Sequence, residues 1–175
     1  MTIGYNSGML INVAVPEFSL SDTNAQIHSL VDYLGRVVVL NFWSAECPWS
    51  ERADRSLAAL QVHYSGRVAI LPVASNLNES GAMIQTALDQ RSLAFALRDE
   101  ACALADLFGA QTTPHAFVID QNGILRYQGA VDDVTFRKRT AERFYVQEAL
   151  LAVLDGHYPQ VQETPAYGCA IVREV

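Results

Sequence analysis

Arg36 to Ser50 read RVVVLNFWSAECPWS, and the reading of this stretch decides the fold. The β-branched and aromatic run Arg36 to Trp43, entered from Gly35, has the composition of a central strand buried on both faces. It stops at Ser44. Pro48 then opens a helix to about Tyr64, because a missing amide is harmless in the first helical turn. Within that helix Leu57, Leu60 and Gln61 recur at helical spacing, with Arg52, Asp54 and Arg55 at wetter positions. Cys47 therefore sits where a strand hands over to a helix N-terminus.

Outward from this unit, Val68 to Ala74 (VAILPVA) reads as a second strand and Ser80 to Gln90 as a second helix. Strand, helix, strand, helix calls for a partly parallel sheet with helices on its faces. Leu93 to Leu97 reads as a short strand, and Asp99 starts a further helix through EACALADLF that Gly109 ends. His115 to Asp120 and Ile124 to Tyr127 are strands joined through Asn122-Gly123, a hairpin signal. Met9 to Val15 suits an edge strand, Val131 to Thr140 a loop, and Glu142 to Asp155 a helix. The expectation is an α/β fold, a central mixed β-sheet flanked by helices, as one domain over residues 1–175. Its core spans about 13–155, and an irregular tail, 156–175, lies on the surface.

Twelve Lys and Arg against 19 Asp and Glu give a formal charge of -7, which repels nucleic acid and anionic lipid. The three cysteines, Cys47, Cys102 and Cys169, are odd in number and too few for a disulfide framework. None has a close Cys or His companion of the kind a zinc site needs, and no cofactor is called for. The opening MTIGYNSGMLINVAV has neither the basic start nor the long apolar run of an export signal or membrane span. The cytoplasm is the default location unless a leader has been removed.

Cys47 is the candidate nucleophile, because a thiol at a helix N-terminus faces unpaired amides and the positive end of the helix dipole, and both favour the thiolate. Glu46 and Glu51 oppose this, so a moderate depression of its pKa is expected. The competing structural reading is an inert buried cysteine. Position 50 is Ser, whose hydroxyl can donate to a thiolate but cannot form a disulfide. Whatever Cys47 attacks must be resolved by Cys102, Cys169 or a thiol in solution. Cys169 is favoured over Cys102, which shares a helix with Leu104, Ala105 and Phe108, because the tail is free to move; a plug holding the tail down is the alternative role of Cys169. Trp43 reads as core or pocket wall, and Trp49, on the first helical turn, as a residue that touches a partner. Thr113-Pro114 precedes a strand, the one position inside a sheet where proline is readily placed, and puts His115 near the site.

Two stretches, VPEFSLSDTNAQIHSLVDYLGRVVVLNFWSAECPWS and ALADLFGAQTTPHAFVIDQNGILRYQGAVDD, resemble the opening and second half of the thioredoxin-like redoxin superfamily, which includes alkyl hydroperoxide reductase/thiol-specific antioxidant-like proteins. TPAYGCAI at Thr164 to Ile171 is similar to the Gly-Cys ending of a bacterial subgroup. The resemblance implies a thioredoxin-like fold, puts the attacking cysteine on Cys47 and the resolving cysteine on Ser50, where the match fails, and implies a cis Thr113-Pro114 bond that packs opposite Cys47 and helps hold a substrate chain. Trp43, Trp49 and Thr113 are then candidate substrate contacts. Three functions follow: a thiol-disulfide oxidoreductase with a single active-site cysteine, acting on a protein disulfide or small thiol; a thiol peroxidase oxidised at Cys47 to a sulfenic acid; and a non-catalytic redoxin-fold binding protein. The peroxidase branch wants proline seven before and Thr or Ser three before its cysteine. Here these are Leu40 and Ser44.

Overall fold

The computed structural model describes residues 8–174. In chain order the elements are β1 (Ser19–Ser21), β2 (Ile27–Ser29), a 3-10 turn (Leu30–Tyr33), β3 (Val37–Trp43), α1 (Pro48–His63), β4 (Val68–Ala74), α2 (Gly81–Arg91), β5 (Leu97–Arg98), α3 (Ala103–Phe108), β6 (Thr112–Thr113), β7 (His115–Ile119), β8 (Leu125–Gly129), α4 (Tyr145–Leu154) and β9 (Cys169–Ala170). The main sheet has five strands in the order β5-β4-β3-β7-β8. β3 pairs parallel with β4 and antiparallel with β7. It is the thioredoxin-like α/β arrangement, a mixed sheet with helices on its faces.

All seven residues of β3 are buried, as a strand covered on both faces requires. Val38, Leu40 and Phe42 join one cluster with Leu71, Val73, Phe108 and Phe117. Val37 and Val39 face the other way, against Leu57 and Leu60 of α1 and Val146 and Leu150 of α4. The rings of Phe42, Phe108 and Phe117 meet mostly edge-on, with centroids 4.9–5.9 Å apart. The sheet is thus anchored beneath its C-terminal edge, where Ser44 to Cys47 emerges.

Several expected elements are shorter or displaced. Met9 to Val15 is no strand, because Asn12 turns with φ 64; it is tied to the sheet by the Ala14–Ile124 bridge and the bonds Asn12 N to Leu125 O (2.8 Å) and Val15 N to Gly123 O (2.9 Å). The strand expected over Leu93 to Leu97 reduces to β5, which starts at Leu97. The helix expected from Asp99 begins at Ala103, since the Asp99 carboxylate accepts from the amides of Leu104 (3.0 Å) and Ala105 (2.9 Å) and acts as the cap. Cys102 consequently lies ahead of that helix, at φ 54, rather than within it. α4 starts at Tyr145, three residues later than the periodicity suggests.

The tail is largely irregular but firmly held. Thr164 Oγ1 bonds to the Tyr127 hydroxyl at 2.7 Å and accepts from Ala130 N at 2.9 Å. Farther on, β9 pairs antiparallel with β6, setting Cys169 opposite Thr113. Ile171 N donates to Gln111 O (2.9 Å), Val172 N to Asn76 Oδ1 (2.8 Å), and Arg173 reaches Asp106 (3.0 Å) and Ala110 O. These bonds lay the tail across the end of the sheet where Cys47 emerges.

Candidate active site

Cys47 is the N-cap of α1 in extended backbone conformation, with Pro48 as the first helical residue. Its carbonyl accepts from Glu51 N (3.1 Å), and its amide donates to Ser44 Oγ (3.1 Å). The side chain, 1% exposed, points beneath the tail. Its sulfur lies 3.1 Å from the Thr113 carbonyl oxygen and 2.7 Å from Cys169 Sγ. No disulfide joins the three cysteines in this structure, and the Cys47 and Cys169 sulfurs stand closer than ordinary non-bonded contact.

Two thiols this close do not share their protons evenly. Burial pushes the Cys47 thiol up, but the hydrogen bond from Cys169 and the backbone amide of Ser50 outweigh it, and the net direction is downward. Cys169 moves the other way, pushed up to about 12 by burial, by the Cys47 sulfur and by the negative charge of Glu79. Between the two, negative charge is favoured on Cys47 and the proton on Cys169.

The Ser44 to Cys47 loop is gripped from two sides. Buried Glu79 accepts from the Ser44 hydroxyl, from Ala45 N (3.0 Å) and from Asn76 Nδ2 (3.1 Å), and Asn76 is also the residue that receives the tail at Val172. Opposite it, Arg91 at the end of α2 donates to the carbonyls of Ser44 (3.1 Å) and Ala45 and pairs with buried Asp54 at 3.2 Å. Asp54 in turn accepts from Trp43 Nε1 at 3.0 Å. Burial pushes the Asp54 carboxyl up, and its bonds to Trp43 and Arg91 recover only part of that.

The candidate residues distribute unevenly over this site. The Thr113-Pro114 bond is cis, Pro114 is buried, and Thr113 offers its carbonyl to Cys47. Ser50 is fully buried; its hydroxyl accepts from Ser44 N at 3.3 Å, and its backbone amide lowers the pKa of the Cys47 thiol. Trp43 is no substrate contact, since it is fully buried and bonded to Asp54. Trp49 packs edge-on against Tyr167 of the tail, centroids 4.9 Å apart, where a partner contact was expected. Cys102 is turned away as a resolving thiol: its sulfur donates to Ser75 O at 2.9 Å, and burial pushes its pKa up. His115 stacks on Phe117, and burial drives its pKa down to about 4, so it is neutral at pH 7 and lends the thiolate no charge. Arg52, read as solvated, is paired with Asp132 at 2.8 Å.

Glu79 and Arg91 escaped the sequence reading. They act on the loop across 34 and 46 residues of chain, on Ala45 N and Ala45 O respectively, and no local motif announces such contacts. Among the described residues no group of three or more His, Cys, Asp or Glu side chains could hold a metal ion, and no helix is long and apolar enough to cross a membrane.

Residues 11–128 match the AhpC/TSA family. The thiol-disulfide oxidoreductase ResA of Geobacillus thermodenitrificans is 30% identical over 119 residues, covering 67% of each chain. Among solved structures, the hypothetical protein SMc02350 of Sinorhizobium meliloti superposes with a TM-score of 0.86 at 22% identity, covering 97% of both chains. A putative thiol:disulfide interchange protein DsbE of Chlorobium tepidum superposes with a TM-score of 0.67 at 21% identity, over 85% of this chain and 97% of its own. The family match stops at residue 128, short of the tail that carries Cys169.

Proposed function

The chain belongs to the AhpC/TSA family, and we propose that it works as a thiol-disulfide oxidoreductase whose redox centre is the pair Cys47 and Cys169. The observation that carries this reading is the 2.7 Å approach of the two sulfurs. Ser50 stands at the usual second position of the helix-N-terminal motif, and the tail brings a thiol to the same sulfur from the other side. The pair cycles between dithiol and disulfide, passing two electrons and two protons to or from a partner that is itself a disulfide or a thiol.

Each surrounding part has a task in that cycle. The helix N-terminus and the Cys169 thiol favour the Cys47 thiolate, the attacking form. Glu79 and Arg91 hold the loop, so little of it has to reorganise when the sulfur reacts. β6 and β9 hold the second thiol in register. The peroxidase alternative has less support: Leu40 stands where that branch wants proline, and the Ser44 hydroxyl is engaged by Glu79 and by the amides of Glu46 and Cys47.

The test is to oxidise the protein with one equivalent of a small disulfide and map its peptides without reduction. A Cys47–Cys169 linked peptide is expected, together with turnover of a disulfide substrate that Cys47→Ser abolishes. A Cys47–Cys102 link, or turnover untouched by Cys47→Ser, overturns the reading.

A further inference from the structure

The two sulfurs of the pair are unequally placed toward solvent. Cys47 is 1% exposed, under the tail and against the Thr113 carbonyl. Cys169 is only partly buried, in a strand of two residues whose neighbours Tyr167 and Ala170 are exposed. Thiol-disulfide exchange is an in-line displacement, in which the incoming sulfur, the attacked sulfur and the departing sulfur lie on one line, and access decides which sulfur is attacked. Attack on Cys47 needs a thiolate to reach a sulfur that is 1% exposed. Attack on Cys169 needs it to reach one that is only partly buried.

Resting on the redox pair proposed above, we infer that Cys169, not Cys47, is the sulfur through which the oxidised protein exchanges with thiols outside the chain. A thiolate of an external dithiol forms a bond to Cys169 Sγ, the Cys169–Cys47 bond breaks, and Cys47 departs with the electron pair as a thiolate. The donor's second thiol then loses its proton and attacks the donor sulfur bound to Cys169. That bond breaks, Cys169 leaves and takes up a proton, and the donor departs as a disulfide, having given two electrons to the pair.

The chemistry of the two thiols agrees with this order. The better leaving group is the thiol of lower pKa, and Cys47 is lowered while Cys169 is pushed up to about 12. The tail thus carries the contact sulfur, and the helix N-terminus receives the charge released behind it. In the usual helix-N-terminal arrangement both duties fall to residues of one turn; here they are divided between two distant parts of the chain.

Cysteamine, a monothiol that cannot complete the second step by itself, reveals the order. The oxidised full-length protein is first mapped to verify its Cys47–Cys169 link; lack of that link refutes the redox pair itself and is seen before any thiol is added. Limiting cysteamine is then added, and the reaction is acid-quenched within its first turnover, alkylated with N-ethylmaleimide at low pH and mapped. The expected product carries cysteamine on Cys169 and maleimide on Cys47, about ten-fold over the reverse arrangement. Cysteamine mainly on Cys47, cysteamine shared between the two, or reduction without a Cys169 adduct overturns the inference.

Discussion

Gly168 passes so close to the Thr113 carbonyl that a β-carbon built on it would overlap that oxygen, and the Pro114 ring stands 3.1 Å away from the same point. The residue before Cys169 therefore has to be glycine for the tail to lie where it does. Because the clash is with backbone, rotation of a neighbouring side chain cannot relieve it.

Gly168→Ala is expected to lift the tail and break the β6–β9 pairing, at about 1–3 kcal/mol of stability in urea denaturation of the reduced protein. Alkylation of Cys47 should become faster, since its cover is displaced, while Cys47–Cys169 disulfide formation slows. Unchanged rates for both would mean that the tail does not cover Cys47 in solution.

Cys169→Ala removes the donor that favours the Cys47 thiolate and leaves the burial that opposes it. The pH midpoint for carbamidomethylation of Cys47 should move upward, so that reaction at pH 7 falls even though the site is no less open. A midpoint that stays in place would assign the depressed pKa to the helix terminus alone.

Arg91→Met strands the buried carboxylate of Asp54, and breaking a buried pair in this way costs about 3–5 kcal/mol. Arg91→Met combined with Asp54→Asn should recover part of the loss, because the neutral amide still accepts from Trp43 Nε1 without a buried charge. Chemical denaturation of the two variants makes the comparison.

Cys102→Ala is expected to cost about 1–3 kcal/mol, chiefly through the unpartnered Ser75 carbonyl. It should leave the redox cycle intact: thiol titration of the oxidised variant should show loss of both remaining thiols. Retention of either would implicate Cys102 in the chemistry.

The strand, loop and helix around Cys47 were legible because each signal is local and strong. A run of β-branched residues buried on both faces has few other readings, and Pro48 marks the helix start to the residue. The pairs β1–β2 and β6–β9 were not legible, since strands of two or three residues are too short for a period of two to show. Tail mobility was the wrong reason for favouring Cys169. The thiol is held opposite Thr113 by strand pairing, and what made the position possible was the glycine before it. Trp43 was ambiguous in sequence because an indole suits a pocket wall and a core equally, and the buried acceptor that decides between them, Asp54, declares itself only in three dimensions.

The sulfurs of the proposed pair belong to residues 122 positions apart. Linking them closes a ring containing most of the chain, whereas a Cys-X-X-Cys pair closes only a single turn. In the chain-entropy relation a ring of this size removes about 5 kcal/mol of freedom from the unfolded state, against about 2 kcal/mol for a ring of four residues. Oxidation here is therefore also a topological event. With the proposed link closed, the chain from Cys47 to Cys169 has to unfold as a loop, and the oxidised protein is expected to melt at a higher temperature than the dithiol.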